Sequence, residues 1–220
     1  MKVRDRMSTG VKTITLGTSL SEAMAIMNDS SVRRLPIVEK DQVIGIVTRS
    51  DLNKAGPSVA TSLSKNEINY LLAKATIKDI VPKHQEVITI DPDSYIETAA
   101  KLMRRYKISG LPVVENGRLI GIITETDIFD AFVDILGVRT HHSRIDLFVE
   151  DRPGQLAAIT KICADRNKNI INTVQYMDHR KDRYKVILRL EGNEIADVVD
   201  ALQNEGFEIE SVIIAQEEND

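Results

Sequence analysis

Threonine followed three residues later by aspartate closes the stretch VIGIVTRSDL at Thr48–Asp51, and it closes LIGIITETDI at Thr124–Asp127. In both places an apolar, strand-like run gives way to a segment with helical spacing. The free N–H groups and dipole at the start of a helix attract anions, phosphate above all. A threonine hydroxyl there can bond a phosphate or sugar oxygen, and a carboxylate three residues on can accept two hydrogen bonds from a vicinal diol. The same residue types also make an ordinary helix cap, and for a single copy capping would be the simpler account.

The two stretches belong to a longer repeat. Shifted by 76 positions, Thr13–Leu52 falls on Thr89–Ile128 without a gap, and 13 of the 40 pairs are identical. Self-similarity at fixed spacing signals a duplicated structural unit. Each copy reads as a short extended piece (Lys12–Leu16, Val87–Asp91), a helix, two strands and a second helix. The hairpin turns are Lys40-Asp41 and the stronger Asn116-Gly117. Ser94 with Glu97, and Ser64 with Glu67, read as capping boxes. After Gly137 the pattern changes, with VRTHHS as a plausible boundary, to strand–helix–strand–strand–helix–strand, the ferredoxin-like order. The expected class is α+β, with domains at 1–56 and 77–137, a helical insert at 57–76 and a third domain at 143–216.

Composition narrows the functions. Of 220 residues 42% are hydrophobic and 4% aromatic, with no Trp, so the cores must be aliphatic. The net charge of −4 and scattered Lys and Arg leave no basic stripe for nucleic acid. No run approaches the ~18 apolar residues of a membrane span, and MKVRDRMSTG lacks the apolar region of a signal peptide. Cys163 is the lone cysteine, which excludes a disulfide framework. A soluble cytoplasmic protein is expected.

On these residues the two copies resemble a tandem pair of CBS domains, and the tail, through the entry loop EDRPGQLAAI at 150–159, resembles an ACT domain. The order CBS-CBS-ACT with a helical insert resembles the bacterial acetoin-utilisation (AcuB-like) family. The resemblance implies clefts for adenosyl ligands. Asp51 and Asp127 would hold ribose, and Thr48 and Thr124 would lie near phosphate, with Ser50 and Thr126 beside them. Adenine would lie against Thr13-Ile14 with Arg33-Arg34-Leu35-Pro36, and against Thr89-Ile90 with Ser109-Gly110-Leu111-Pro112. Arg49 can meet a phosphate where Glu125 would repel one. With Arg33 and Arg34 assigned to the same copy, the cleft of Asp51 is expected to prefer the more phosphorylated ligand. The competing account makes all three arginines solvated surface charges.

For the tail, the resemblance implies a small amino acid held at Asp151, Arg152, Gly154, Gln155 and Leu156, completed by Asn172, or an edge-to-edge dimer that binds nothing. Gly154 would let backbone N–H groups approach a carboxylate. No catalytic constellation is evident: His141 and His142 are adjacent, His84 and His179 lack partners at ligand spacing, and no metal site or phosphate-loop motif is present. Asp91-Pro92-Asp93 reads as a turn, and Met24, Met27 and Met103 as core. The expectation is a non-enzymatic homodimer without cofactor. It would bind an adenine nucleotide as regulatory ligand and control an unknown partner protein. The alternative is a scaffold with empty clefts.

Overall fold

The computed structural model describes residues 1–56, 64–82, 86–137 and 142–215, in two compact units that divide between Phe129 and Asp130. In the first unit the repeats form α1 (Leu20–Asp29), β1 (Arg34–Glu39), β2 (Gln42–Thr48) and α2 (Arg49–Ala55), then α5 (Ile96–Tyr106), β3 (Gly110–Glu115), β4 (Arg118–Thr124) and the start of α6 (Glu125–Ile135), the helix in which the division falls. Between them lie α3 (Lys65–Lys74) and α4 (Ile77–Ile80).

The copies match in detail. Both hairpins are antiparallel, with a register shift after Ile37 in one and after Val113 in the other. Both turns put two residues at positive φ: Lys40 and Asp41 in the first, Asn116 and Gly117 in the second. That twist suits a tight hairpin. The expected leading strand shrinks to one parallel bridge, Ile14 to Ile37 and Ile90 to Val113. The reason is the Leu-Pro dipeptide. To extend that ladder backward Pro36 would have to donate to the Lys12 carbonyl, and Pro112 to that of Ile88, and proline has no N–H.

The cores are aliphatic. Ile14, Leu20, Ala23, Met27, Leu35, Ile37, Val47, Leu52 and Ile77 form one buried cluster, with Met24 packed partly buried against it. Met103 is buried in the second copy. The segments ahead of each copy are exchanged. Leu72, Ala75, Ile77 and Ile80, from α3 and α4, complete the first copy's core. Residues 1–8 lie on the second copy, with bridges Lys2–Tyr95 and Ser8–Ile122 and Val3 fully buried.

That strap changes one expected cap. Ser64 and Glu67 do form a reciprocal box at α3. Helix α5 instead has Tyr95 at its N-cap with no side-chain bond, and the Ile96 N–H donates to the Met1 carbonyl. A chain segment does there what Ser94 was expected to do. Asp91 forms the expected turn, its carboxylate accepting from the Asp93 N–H at 2.8 Å. Asp93 then binds Lys2 and Arg4 of the strap at 2.8 and 2.7 Å.

The second unit carries β5 (His142–Val149), α7 (Gln155–Asp165), β6 (Ile170–Asp178), β7 (Arg183–Glu191), α8 (Ala196–Asn204) and β8 (Glu208–Ile213). The antiparallel sheet has the order β6-β7-β5-β8, and alternate residues of β5 and β7 meet α7 and α8 in one core that includes Cys163. The sequence expectation of βαββαβ matches this order. Residues Val138–His141, at the expected boundary, lie outside the described residues, as does His84. Among the described residues no helix is long and apolar enough to cross a membrane.

Candidate functional site

Each Thr-x-x-Asp folds into a capping box. The Thr48 N–H and hydroxyl both donate to Asp51 Oδ2, at 2.9 and 2.6 Å, and the Asp51 N–H returns to Thr48 Oγ at 3.3 Å. Thr124 repeats the pattern on Asp127 Oδ2 at 2.7 and 2.7 Å, with the return bond at 3.5 Å. Capping is thus realised in both copies. It is not special to them, because Ser64 and Glu67 make the same three bonds at α3, and Thr76 donates its N–H and hydroxyl to Asp79 in the same way at α4. Asp51 and Asp127 each also border one of two cavities that lie across the repeat. A carboxylate also has a second oxygen to offer a ligand.

The cavities are built across the repeat. One, of about 470 Å³, places Thr124, Thr126 and Asp127 of the second copy opposite Arg33 and Arg34 of the first, with Lys12 and the loop Ser30–Val32. The other, of about 370 Å³, places Thr48, Ser50 and Asp51 of the first copy opposite Ser109 and Gly110 of the second, with Ile88 and Lys107. Both volumes lie in the range of small-molecule sites. Of the two arginines expected to serve Asp51, Arg34 does border its cavity, whereas Arg33 borders only that of Asp127, and for Arg33 the expectation is corrected. Folding crosses the copies, and the cavity of Asp127 carries Lys12, Arg33 and Arg34, while that of Asp51 carries Arg34, Lys107 and Glu86.

Other expected site residues lie elsewhere. Leu35, Pro36, Leu111 and Pro112 are buried, and so are Ile14 and Ile90. The Ile14 N–H donates to Pro36 and its carbonyl accepts from Val38, and Ile90 does the same with Pro112 and Val114. These six residues are packed inside the fold and border neither cavity. Arg49 and Thr89 are exposed and border neither cavity. Arg49 contributes a backbone bond, its N–H donating to the Arg33 carbonyl at 2.9 Å. Thr13 borders an adjoining cavity of about 440 Å³ that shares Gly10 and Val11 with that of Asp127.

Sequence reasoning missed the loops Ser8–Lys12 and Ser30–Val32 on one side, and Glu86–Ile88 with Lys107 and Ile108 on the other. One signal was available in retrospect: Ser31 and Lys107 stand 76 apart, and both hold positive φ, +52° and +54°.

Arg34 alone among the described residues borders both cavities. Its Nη2 donates to the Ser109 hydroxyl, and its side chain lies over Gly110. Burial first, and Arg33 second, lower its pKa, while Glu125 and Asp127 pull the other way.

In the second unit the two halves of the expected amino-acid site separate within one chain. Asp151, Arg152, Gly154 and Leu156 are exposed and Gln155 half-buried at the start of α7, with Gly154 at φ +93°. Arg152 Nε pairs with Glu150 at 2.8 Å. Asn172 pairs in register with Arg189, near the far end of a sheet whose other end carries Val149. Its Nδ2 donates to the Ile135 carbonyl at 2.6 Å, and Gly137 lies close to its Cβ. Asn172 therefore anchors the chain entering this unit and does not face the loop. His142 opens β5 and contacts Arg189. Among the described residues no group of His, Cys, Asp and Glu is arranged to hold a metal.

Comparison with known proteins agrees with the architecture. The CBS domain model matches residues 3–58 and 77–134, and the TTHA0829-like ACT domain model matches 142–213. A CBS domain-containing protein of Dictyostelium discoideum is 35% identical over 136 residues, 61% of this chain and 92% of that protein. An inosine-5′-monophosphate dehydrogenase of Korarchaeum cryptofilum is 31% identical over 75% of this chain, which spans only 34% of the enzyme. Among solved structures, a Vibrio cholerae protein assigned to acetoin utilization (AcuB) is similar, with TM-score 0.51 and 27% identity, covering 63% of this chain and 95% of its own. A CBS domain pair crystallised with 5′-methylthioadenosine and S-adenosyl-L-methionine is similar, with TM-score 0.50 and 32% identity, covering 61% of this chain and 97% of its own.

Proposed function

The chain belongs to the CBS-domain family, as a tandem CBS pair followed by an ACT-like domain, and from that premise we propose that it is a non-catalytic regulatory sensor of adenine nucleotides or a related adenosyl ligand. The observation that carries the reading is the crossed pair of cavities. In each, a helix N-terminus with its Thr and Asp faces the loop and strand start of the other copy. A ribose diol fits the second carboxylate oxygen, and an anionic group fits the N-terminus and the guanidinium. Lys12 and Ile88 border the two cavities. Each has a carbonyl that a proline cannot satisfy, an acceptor for an adenine amino group. The similar pair with two adenosyl compounds supports the ligand class.

Ligands would act by favouring one arrangement of the modules over another. The ACT-like unit would join two copies through a sheet edge. Its edge strands expose Tyr176 on β6 and Val212 and Ile213 on β8, a surface suited to pairing. The regulated partner would lie in a cytoplasmic pathway, with acetoin utilisation favoured by the similarity to the Vibrio protein.

The test is thermal unfolding with AMP, ADP, ATP, S-adenosylmethionine and 5′-methylthioadenosine, on the natural chain and on Asp51→Ala and Asp127→Ala. A ligand at 100 times its dissociation constant adds about 2.7 kcal/mol. A shift reduced by each substitution is expected; none across the panel rejects the reading. A scaffold with empty clefts is the second reading. It is favoured by the Thr76–Asp79 box, which shows that this cap holds without any ligand. A stable assembly with no ligand response would establish it.

A further inference from the structure

We infer that Arg34 couples the two clefts, so that an anionic adenosyl ligand in one weakens the binding of an anionic ligand in the other. This inference rests on the adenosyl reading above and adds a rule of regulation to it.

The two cavities share one cation. Arg34 borders both, and Ser109, which accepts its hydrogen bond, borders only the cavity of Asp51. In this arrangement the guanidinium is committed to the wall of that cleft. Asp127, which borders the other cavity, attracts it, as does Glu125. It is half-buried, so its charge is poorly screened, and its hydrogen-bond directions are fixed by a planar fork. A phosphate in the cleft of Asp127 would draw the fork away from Ser109. A phosphate in the cleft of Asp51 would hold it there. The fork cannot satisfy both at full strength.

The repeat supplies no second arginine. The position 76 residues on from Arg34 is Gly110. A Cβ there would stand 3.0 Å from Arg34 Cδ and 3.1 Å from Nε. One copy thus contributes the cation and the other leaves room for it. Lys12 and Lys107 are each confined to one cleft and cannot transmit occupancy. Coupling of this kind needs an element with two arrangements that both sites bias, and Arg34 between Ser109 and Asp127 is such an element.

The experiment is calorimetric titration of the full chain with AMP and, separately, with uncharged adenosine. Asp51→Ala and Asp127→Ala supply the affinity of each cleft alone. For AMP the second binding step of the natural chain should be about fivefold or more weaker than the matching single-cleft value. For adenosine the steps should equal the single-cleft values. Arg34→Gln should bring the AMP ratio to one while still binding adenosine, which certifies its fold, and Arg34→Lys should keep only part of the ratio.

Independent AMP steps in the natural chain, or coupling that survives in Arg34→Gln, would overturn the inference and leave the adenosyl reading intact. If neither AMP nor adenosine binds, the adenosyl reading falls and this inference falls with it.

Discussion

The side chain of Arg34 fills the space that a side chain at residue 110 would need, with its Cδ 3.0 Å from where a Gly110 Cβ would stand. The two residues occupy the same position in successive copies of a repeat. Where they meet, the copies cease to be equivalent. Gly110→Ala should therefore act through Arg34. The new methyl meets a flexible side chain, so thermal stability should change little, within about 1 kcal/mol. The guanidinium should be pushed off Ser109, and AMP affinity in the cleft of Asp51 should fall while adenosine affinity holds. Equal loss for both ligands in paired titrations would mean that the methyl blocks the cleft itself.

Gly121 presents the contrasting case. A Cβ there would lie 2.6 Å from Met7 Sδ and 3.0 Å from the Ser8 carbonyl oxygen. Backbone cannot yield as an arginine can. Gly121→Ala should lift the strap from β4 and cost about 1–3 kcal/mol, read from the denaturant midpoint. An unchanged midpoint would show that the strap contributes little.

Capping and ligand binding can be separated by comparing boxes. Thr48→Ala, Thr124→Ala and Thr76→Ala should each lose about 1 kcal/mol of stability. The first two border the cavities of Asp51 and Asp127, and Thr76 borders neither. The stabilisation given by an adenosyl ligand should shrink in those two and persist in Thr76→Ala.

The strap should respond to acid. Hydrogen bonds from Arg4, then Lys2, lower the Asp93 pKa from 3.8 to about 2. A folded value below the unfolded one adds stability that is present above about pH 4 and is lost as pH falls toward 2. The stability difference between the natural chain and Asp93→Asn should follow that course. It should also diminish in high salt, since the groups are exposed. A difference independent of pH from 5 to 2 would rule the pair out as a contributor.

Cys163 should be silent in the native protein. It is fully buried in the second unit's core, and burial pushes its thiol pKa up. A thiol reagent should label it only at the rate of unfolding.

Much of this was legible before folding was considered. The strands β1, β2 and β4 begin and end where apolar alternation and turn residues place them, and Lys40-Asp41 and Asn116-Gly117 do turn the chain. The Ser64 box formed as read, because a cap depends on four consecutive residues. The Ser94 box did not, because residues 1–8 arrive from some ninety positions away and supply the Met1 carbonyl instead. Asn172 was placed with the Asp151 loop by analogy, and strand register set it near the other end of the sheet.

The sequence by itself determined the helices and hairpins of the repeat, the repeat itself, the aliphatic cores and the two Thr-x-x-Asp caps, since each follows from spacing within a few residues or from self-comparison. Only the tertiary structure decided that Asp127 faces Arg33 and Arg34, that Asp51 faces Ser109 and Gly110, and that Arg34 stands between both clefts. Those relations join residues 58 to 94 positions apart, and periodicity carries no information on how two similar halves pack against each other. The crossing follows from that packing, and it moves the larger share of positive charge to the cleft opposite the one that local reading had chosen.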